Sequence, residues 1–178
     1  MSGLLAFLLG ESRCALPVNE IQEVLPVVAL SPIPGQALPV EGMLNLRGAM
    51  IPVLDLRSCL GLPQIRWNSE TRIIVVKTQG ARVGVVVDSV EDVVEVEERG
   101  GSSPLRESHP LVDSVRIFGG KALTVVRPER LAQTYQQSAP IGLAGPPNRN
   151  MGAPASRFRP AKSAGAISGQ RRCVLAES

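Results

Sequence analysis

The 178-residue chain has one histidine, His109, and three cysteines, Cys14, Cys59 and Cys173, with no Cys-x-x-Cys pair. A lone imidazole between Ser108 and Pro110 cannot build a histidine metal cluster, and it has no evident orienting partner as a general base. G-x-G-x-x-G, Walker-type and G-x-S-x-G motifs are also missing, so no nucleotide cradle or nucleophile elbow is written into the chain. Neither catalytic residues nor a cofactor or metal is expected. The odd thiol count fits a reducing compartment better than a disulfide framework, and Cys14 and Cys59 sit among apolar residues as core filler. Long hydrophobic runs are absent as well. The opening segment MSGLLAFLLGESR is too short and wrongly flanked for a signal peptide or membrane span. A cytoplasmic protein without membrane insertion is the expectation.

Aromatic residues make up only 3%, against 44% hydrophobic residues in all, so any core must be built from valine, leucine and isoleucine. The formal charge of +3 is unevenly placed: six basic residues against Glu177 give residues 138–178 a charge of +5, leaving −2 for residues 1–137. From Ser138 onward the chain is rich in Pro, Gly, Ala and Ser and poor in β-branched residues. That mixture buries too little surface to offset the entropy of ordering, so a disordered basic tail is expected after a folded domain spanning residues 1–137.

The folded part reads as mostly β. Leu4–Leu9 and Arg13–Val18 form a hairpin, and Asn19–Val24 is either a helical turn or an irregular strand. Pro26, Pro32, Pro34 and Pro39 impose an extended loop, with a short strand expected at Val27–Leu30. The most informative run is VEGMLNLRGAMIPVLDLRSCL, residues 40–60. It reads as a strand to Leu46, a tight turn at Arg47 and Gly48, a strand to Leu54, and a helix start capped by Asp55. Pro52 lacks an amide proton, which places the second of these strands at an edge or beside a bulge. Residues 72–78 and 82–87 form another hairpin, Asp88–Glu98 an edge-like strand with one wet face, and Val112–Val126 a third paired segment. A terminal helix, residues 128–136, begins at Pro128.

The second half repeats the first. RCALPVNEIQEVL (13–25) aligns without gaps on RVGVVVDSVEDVV (82–94), and VEGMLNLRGAMIPVLD (40–55) on VDSVRIFGGKALTVVR (112–127). The pairs include Asn19 with Asp88, Glu23 with Asp92 and Gly48 with Gly120. Two copies imply two related β-subdomains, roughly residues 4–62 and 70–127, each too small to hold a comfortable core alone. They should pack on each other and leave a groove.

These residues resemble the CheW-like adaptor domain of bacterial chemosensory arrays, over about residues 4–135. The likeness is carried by ALPVNEIQEVLPV, GMLNLRGAMIPVLDLRSCLGLP, TRIIVV and RVGVVVDSVEDVVEV, above all by the NLRG-x₃-P-V-x-D-L-R run. The resemblance implies two five-stranded SH3-like β-barrels and a non-catalytic role, bridging the cytoplasmic tip of methyl-accepting chemoreceptors to the regulatory domain of a CheA-type histidine kinase. It also implies association with receptor arrays at the inner face of the membrane. The chain departs from the family pattern at Arg127, where an aspartate is usual, and at Ser114, where a glycine is.

Carried over by position, Ile21, Glu23, Asn45, Arg47 and Gly48 form the expected receptor- or kinase-docking site. Glu23 and Arg47 are expected within ion-pair distance across the groove. From another class, a small-barrel nucleic-acid binder using the basic tail fits the β content. The acidic folded part and scarcity of base-stacking aromatics speak against it, and no nucleic-acid partner is expected.

Overall fold

The computed structural model describes residues 2–78, 80–96 and 109–138. The loop expected over residues 100–110 falls largely outside them, as does the basic extension beyond residue 138. The strands are β1 (Ser2–Leu9), β2 (Ser12–Pro17), β3 (Ile21–Pro26), β4 (Val40–Leu46), β5 (Ala49–Asp55), β6 (Arg72–Thr78), β7 (Ala81–Val87), β8 (Ser89–Val96), β9 (Val112–Phe118) and β10 (Lys121–Val126). A short helix α1 (Leu56–Cys59) follows β5, and α2 (Pro128–Ser138) follows β10. Residues 19–24 divide between the two readings offered for them: Val18–Glu20 is one 3₁₀ turn, and β3 starts at Ile21. No strand forms at Val27–Leu30. That stretch keeps one backbone bond, from the Val27 amide to the Thr71 carbonyl at 3.2 Å, and Ser31 just beyond it bridges Met43; Pro26 and Pro32, which lack amides, bound it on both sides.

The ten strands form two five-stranded sheets, ordered β8-β1-β2-β10-β9 and β3-β6-β7-β5-β4. The sheets do not follow the contiguous halves 4–62 and 70–127 suggested by the repeat. Each takes a hairpin from one half and three strands from the other. The chain changes sheet after β2 and again after β7, at the paired positions Asn19 and Asp88. Replacing β1–β5 by β6–β10 and the reverse turns one strand order into the other, so the repeat is a symmetry of the assembled domain.

Register follows the same rule. The parallel pairs Val53 with Gly84 and Val125 with Ala15 are repeat equivalents. So are the bulges in β3, between Ile21 and Glu23, and in β8, between Val90 and Val93. Bulges bend a strand and tighten its twist, and their placement at matching points curls both sheets alike. Pro52 is not at an edge, since β5 runs between β4 and β7, but it does lie beside a bulge: the β4 register slips between Val40 and Gly42, opposite Leu54 and Val53. The proline is accommodated because the ladder to β7 begins only at Val53.

Alternation sorts the side chains into three cores. Leu44, Leu46, Ile51, Val53, Ile73, Val75 and Val86 fill the concave face of the β3–β4 sheet, with Trp67 against them. Leu4, Ala6, Ala15, Val94, Leu123 and Val125 fill that of the other sheet. The largest core is shared: Leu5, Phe7, Leu9 and Leu16 from one sheet meet Leu54, Ile74, Val76, Val83 and Val85 from the other, closed off by Leu131 of α2. Most of these side chains have no exposed surface, and at about 25 cal/mol per Å² of apolar area this joint is the main attraction between the sheets.

Two positions related by the repeat behave differently. Gly42 has φ 147°, and a Cβ there would lie 2.7 Å from the Ser31 carbonyl oxygen, so only glycine allows the bridge from Ser31. Its counterpart Ser114 is buried and its hydroxyl has no hydrogen-bond partner among the described residues. An unpaired buried hydroxyl costs about 1–3 kcal/mol. Ser114→Ala is therefore expected to raise stability by about 1 kcal/mol in urea denaturation; an unchanged or lower midpoint would show that the hydroxyl is satisfied.

Candidate functional site

The β4–β5 hairpin turns on two residues in left-handed backbone conformation, Arg47 (φ 52°) and Gly48 (φ 84°). This is the geometry whose twist suits a two-residue hairpin. Asn45 secures the turn, its Oδ1 accepting a hydrogen bond from the Gly48 amide at 2.9 Å. Among the described residues Arg47 is the one non-glycine with positive φ, a conformation costing an L-residue roughly 1–2 kcal/mol. The repeat-equivalent turn between β9 and β10 uses Gly119 and Gly120 at φ 57° and 73° and carries no such strain. The first hairpin thus keeps an arginine where glycine would be more stable.

That arginine reaches Glu23. Arg47 Nη2 lies 3.4 Å from Glu23 Oε1, with side-chain exposures of 82% and 28%. The expected pair is present, but it does not cross a groove between subdomains. Because β3 and the hairpin of β4 stand at opposite edges of one sheet, the pair closes the seam where that sheet curls on itself. At this exposure it contributes at most about 1 kcal/mol, no more than the strain at Arg47. Stability alone does not account for the residue.

The other proposed site residues divide. Asn45, Arg47 and Gly48 are exposed together on the hairpin. Ile21 is only partly exposed, because it packs against the shared core. Sequence reading passed over Val24, next to Glu23 and 38% exposed, and Met50, the cross-strand partner of Asn45 and 50% exposed. Their signal was weak: an apolar residue in a strand reads as core until the face it occupies is known.

A second polar centre lies where the chain crosses between sheets. Asp55 caps α1, its Oδ1 accepting from the Arg57 amide at 3.0 Å and its Oδ2 from Ser58 Oγ at 2.9 Å and Gln64 Nε2 at 3.1 Å. The cap presents the Arg57 side chain to Asp88. Arg57 Nε donates to Asp88 Oδ1 at 2.8 Å, Nη2 donates to Oδ2, and Nη1 donates to the Pro63 carbonyl at 2.9 Å. The Gly10 amide adds a bond to Asp88 Oδ2 at 2.5 Å. This cluster joins the β1–β2 turn, α1, the segment after α1 and the β7–β8 crossover.

Burial raises the Asp88 pKa, but the Arg57 and Gly10 hydrogen bonds and the guanidinium charge outweigh it, so the carboxyl titrates below its usual range. A depressed folded pKa gives stability that is present above the unfolded aspartate pKa and lost as pH falls through the folded one. Asp88→Asn is therefore expected to cost about 2 kcal/mol near neutral pH, with the gap to the unsubstituted protein closing in acid. A gap independent of pH would rule out the carboxylate as its source.

Both described cysteines are inert: burial pushes the Cys14 thiol up to about 11, and burial with the Asp55 charge pushes Cys59 up to about 12. Among the described residues no group of His, Cys, Asp and Glu is arranged to hold a metal ion, and no helix is long and apolar enough to cross a membrane.

The family model described as "CheW-like domain" matches residues 3–136. The chain is 33% identical over 95 residues to "Chemotaxis protein CheW" of Bacillus subtilis strain 168, covering 53% of this chain and 61% of that protein, so it spans less than two thirds of that relative. It is 27% identical to "Chemotaxis protein CheW" of Helicobacter pylori, over 71% of this chain and 79% of that one. The crystal structure of the scaffolding protein TtCheW from Thermoanaerobacter tengcongensis has a similar fold, with a TM-score of 0.67 and 27% identity over 71% of this chain and 84% of that one.

Proposed function

The chain belongs to the CheW-like domain family, and on that premise we propose that it is a non-catalytic chemotaxis adaptor coupling the cytoplasmic tip of chemoreceptors to the regulatory domain of a CheA-type histidine kinase. The β4–β5 hairpin and β3 form its docking face. Glu23, Asn45, Arg47 and Gly48 lie at the centre of that face, and Ile21 supports it from the shared core. The observation that carries this reading is the strained Arg47, kept at a turn whose repeat copy is Gly-Gly. Backbone strain that local contacts do not repay is a mark of a functional position. Exposed Val24, next to Glu23 along β3, and Met50, opposite Asn45 in β5, add the aliphatic contact that protein docking needs.

Four arginines of the fold are committed in a way that does not suit nucleic acid as the ligand. Arg13, Arg47, Arg57 and Arg127 are each turned onto an acid, which leaves them unsuited to phosphate contacts. Affinity capture with the tagged full chain is the test, using a CheA-type regulatory domain and a receptor cytoplasmic fragment as separate baits. Retention of both is expected; retention of neither overturns the adaptor reading.

A further inference from the structure

The two sheet crossovers are repeat equivalents, but only one is tied down. At the β7–β8 crossover Asp88 receives Arg57 and Gly10. At the β2–β3 crossover the place of Asp88 is taken by Asn19, exposed and without a hydrogen-bond partner among the described residues. The place of Arg57 is taken by Glu129, in the first turn of α2.

The cations that could stand in are committed elsewhere: Arg127 Nε donates to Asp113 Oδ1 at 3.1 Å, and Arg130 Nη1 to Gln133 Oε1 at 2.9 Å. Glu20, the last residue of the 3₁₀ turn, instead lies near Glu129, and burial together with that like charge raises its pKa. A salt bridge on one side of the domain is replaced by two carboxylates on the other.

We propose that the domain is latched on one side only: Arg57 pins the β7–β8 crossover through Asp88, whereas the β2–β3 crossover, faced by Glu129 of α2, is left free, so that β3 can shift at its entry while its counterpart β8 is held. The functional weight of this device rests on the reading of β3 as a docking strand, since β3 carries Ile21 and Glu23. Ile21 stays packed against the shared core, so the freedom belongs to the crossover and to the exposed side of β3.

Hydrogen exchange in the free full-length protein tests the device independently of any partner, so its failure is distinct from failure of the adaptor reading. β3 and β8 are a like-for-like comparison, both being edge strands with repeat-equivalent neighbours, β6 and β1, and an equivalent bulge. Amides of residues 21–25 are expected to exchange about tenfold faster than those of residues 90–94, the factor that a charge-assisted latch supplies. Asn19→Asp with Glu129→Arg, which copies the latch to the open side, should slow residues 21–25 by a similar factor and leave residues 90–94 unchanged. If that variant does not fold, Asp88→Asn serves instead and should speed residues 90–94 until the two strands match. Equal exchange in the unsubstituted protein, or no strand-specific response to these substitutions, overturns the proposal.

Discussion

Phe7→Ala is expected to destabilise the domain by about 4 kcal/mol and to shift the unfolding of both sheets together. The ring has no exposed surface and lies in the core shared by the sheets, where deleting an aromatic side chain removes its transfer energy and leaves a cavity, typically 3–5 kcal/mol in all. The cooperativity follows from topology. Each sheet contains a hairpin from the other half of the chain, and the largest core belongs to neither sheet alone. Trp67, the single tryptophan, packs against the core of the sheet that lacks Phe7. Its fluorescence and far-UV circular dichroism should therefore report one common midpoint, lowered equally in the variant. Trp67 fluorescence that held its original midpoint while the dichroism moved would mean that the sheets unfold separately.

Arg47→Glu is expected to weaken capture of the receptor or kinase bait about tenfold or more, since like charges would meet both Glu23 and any acidic partner group. The fold should survive. At 82% exposure the pair with Glu23 adds at most about 1 kcal/mol. Arg47→Gly separates strain from recognition: glycine relieves the positive φ, so that variant should be slightly more stable yet bind poorly. A folded Arg47→Glu protein that binds as well as the unsubstituted chain would remove Arg47 from the docking face.

Much of this was legible in the residues. Alternation and turn chemistry located the hairpins, Asp55 announced its cap, and the gapless repeat extended even to the bulges. The Glu23–Arg47 pair followed from the NLRG run and the position of Glu23. The exchange of strands between halves did not follow, because a repeat states which segments are equivalent and is silent on whether a strand pairs within its own copy or with the other. The Arg57–Asp88 link was missed for a related reason: two charges thirty-one positions apart gave no local sign of meeting. Ile21 entered the expected site by its position in the family pattern alone, and only the shared core revealed how far it is covered.

The strand exchange has a consequence for synthesis. Ser2 pairs with Val96, and Ala15 with Val125, so the first hairpin to leave the ribosome cannot complete its sheet until the last strands have been made. Until then its apolar flanks stand open, and such late, distant closure slows folding and leaves nascent chains open to aggregation. Chains stalled near residue 90 should accordingly be protease-sensitive throughout and bind chaperones, and protection should appear in a single step once β10 has emerged.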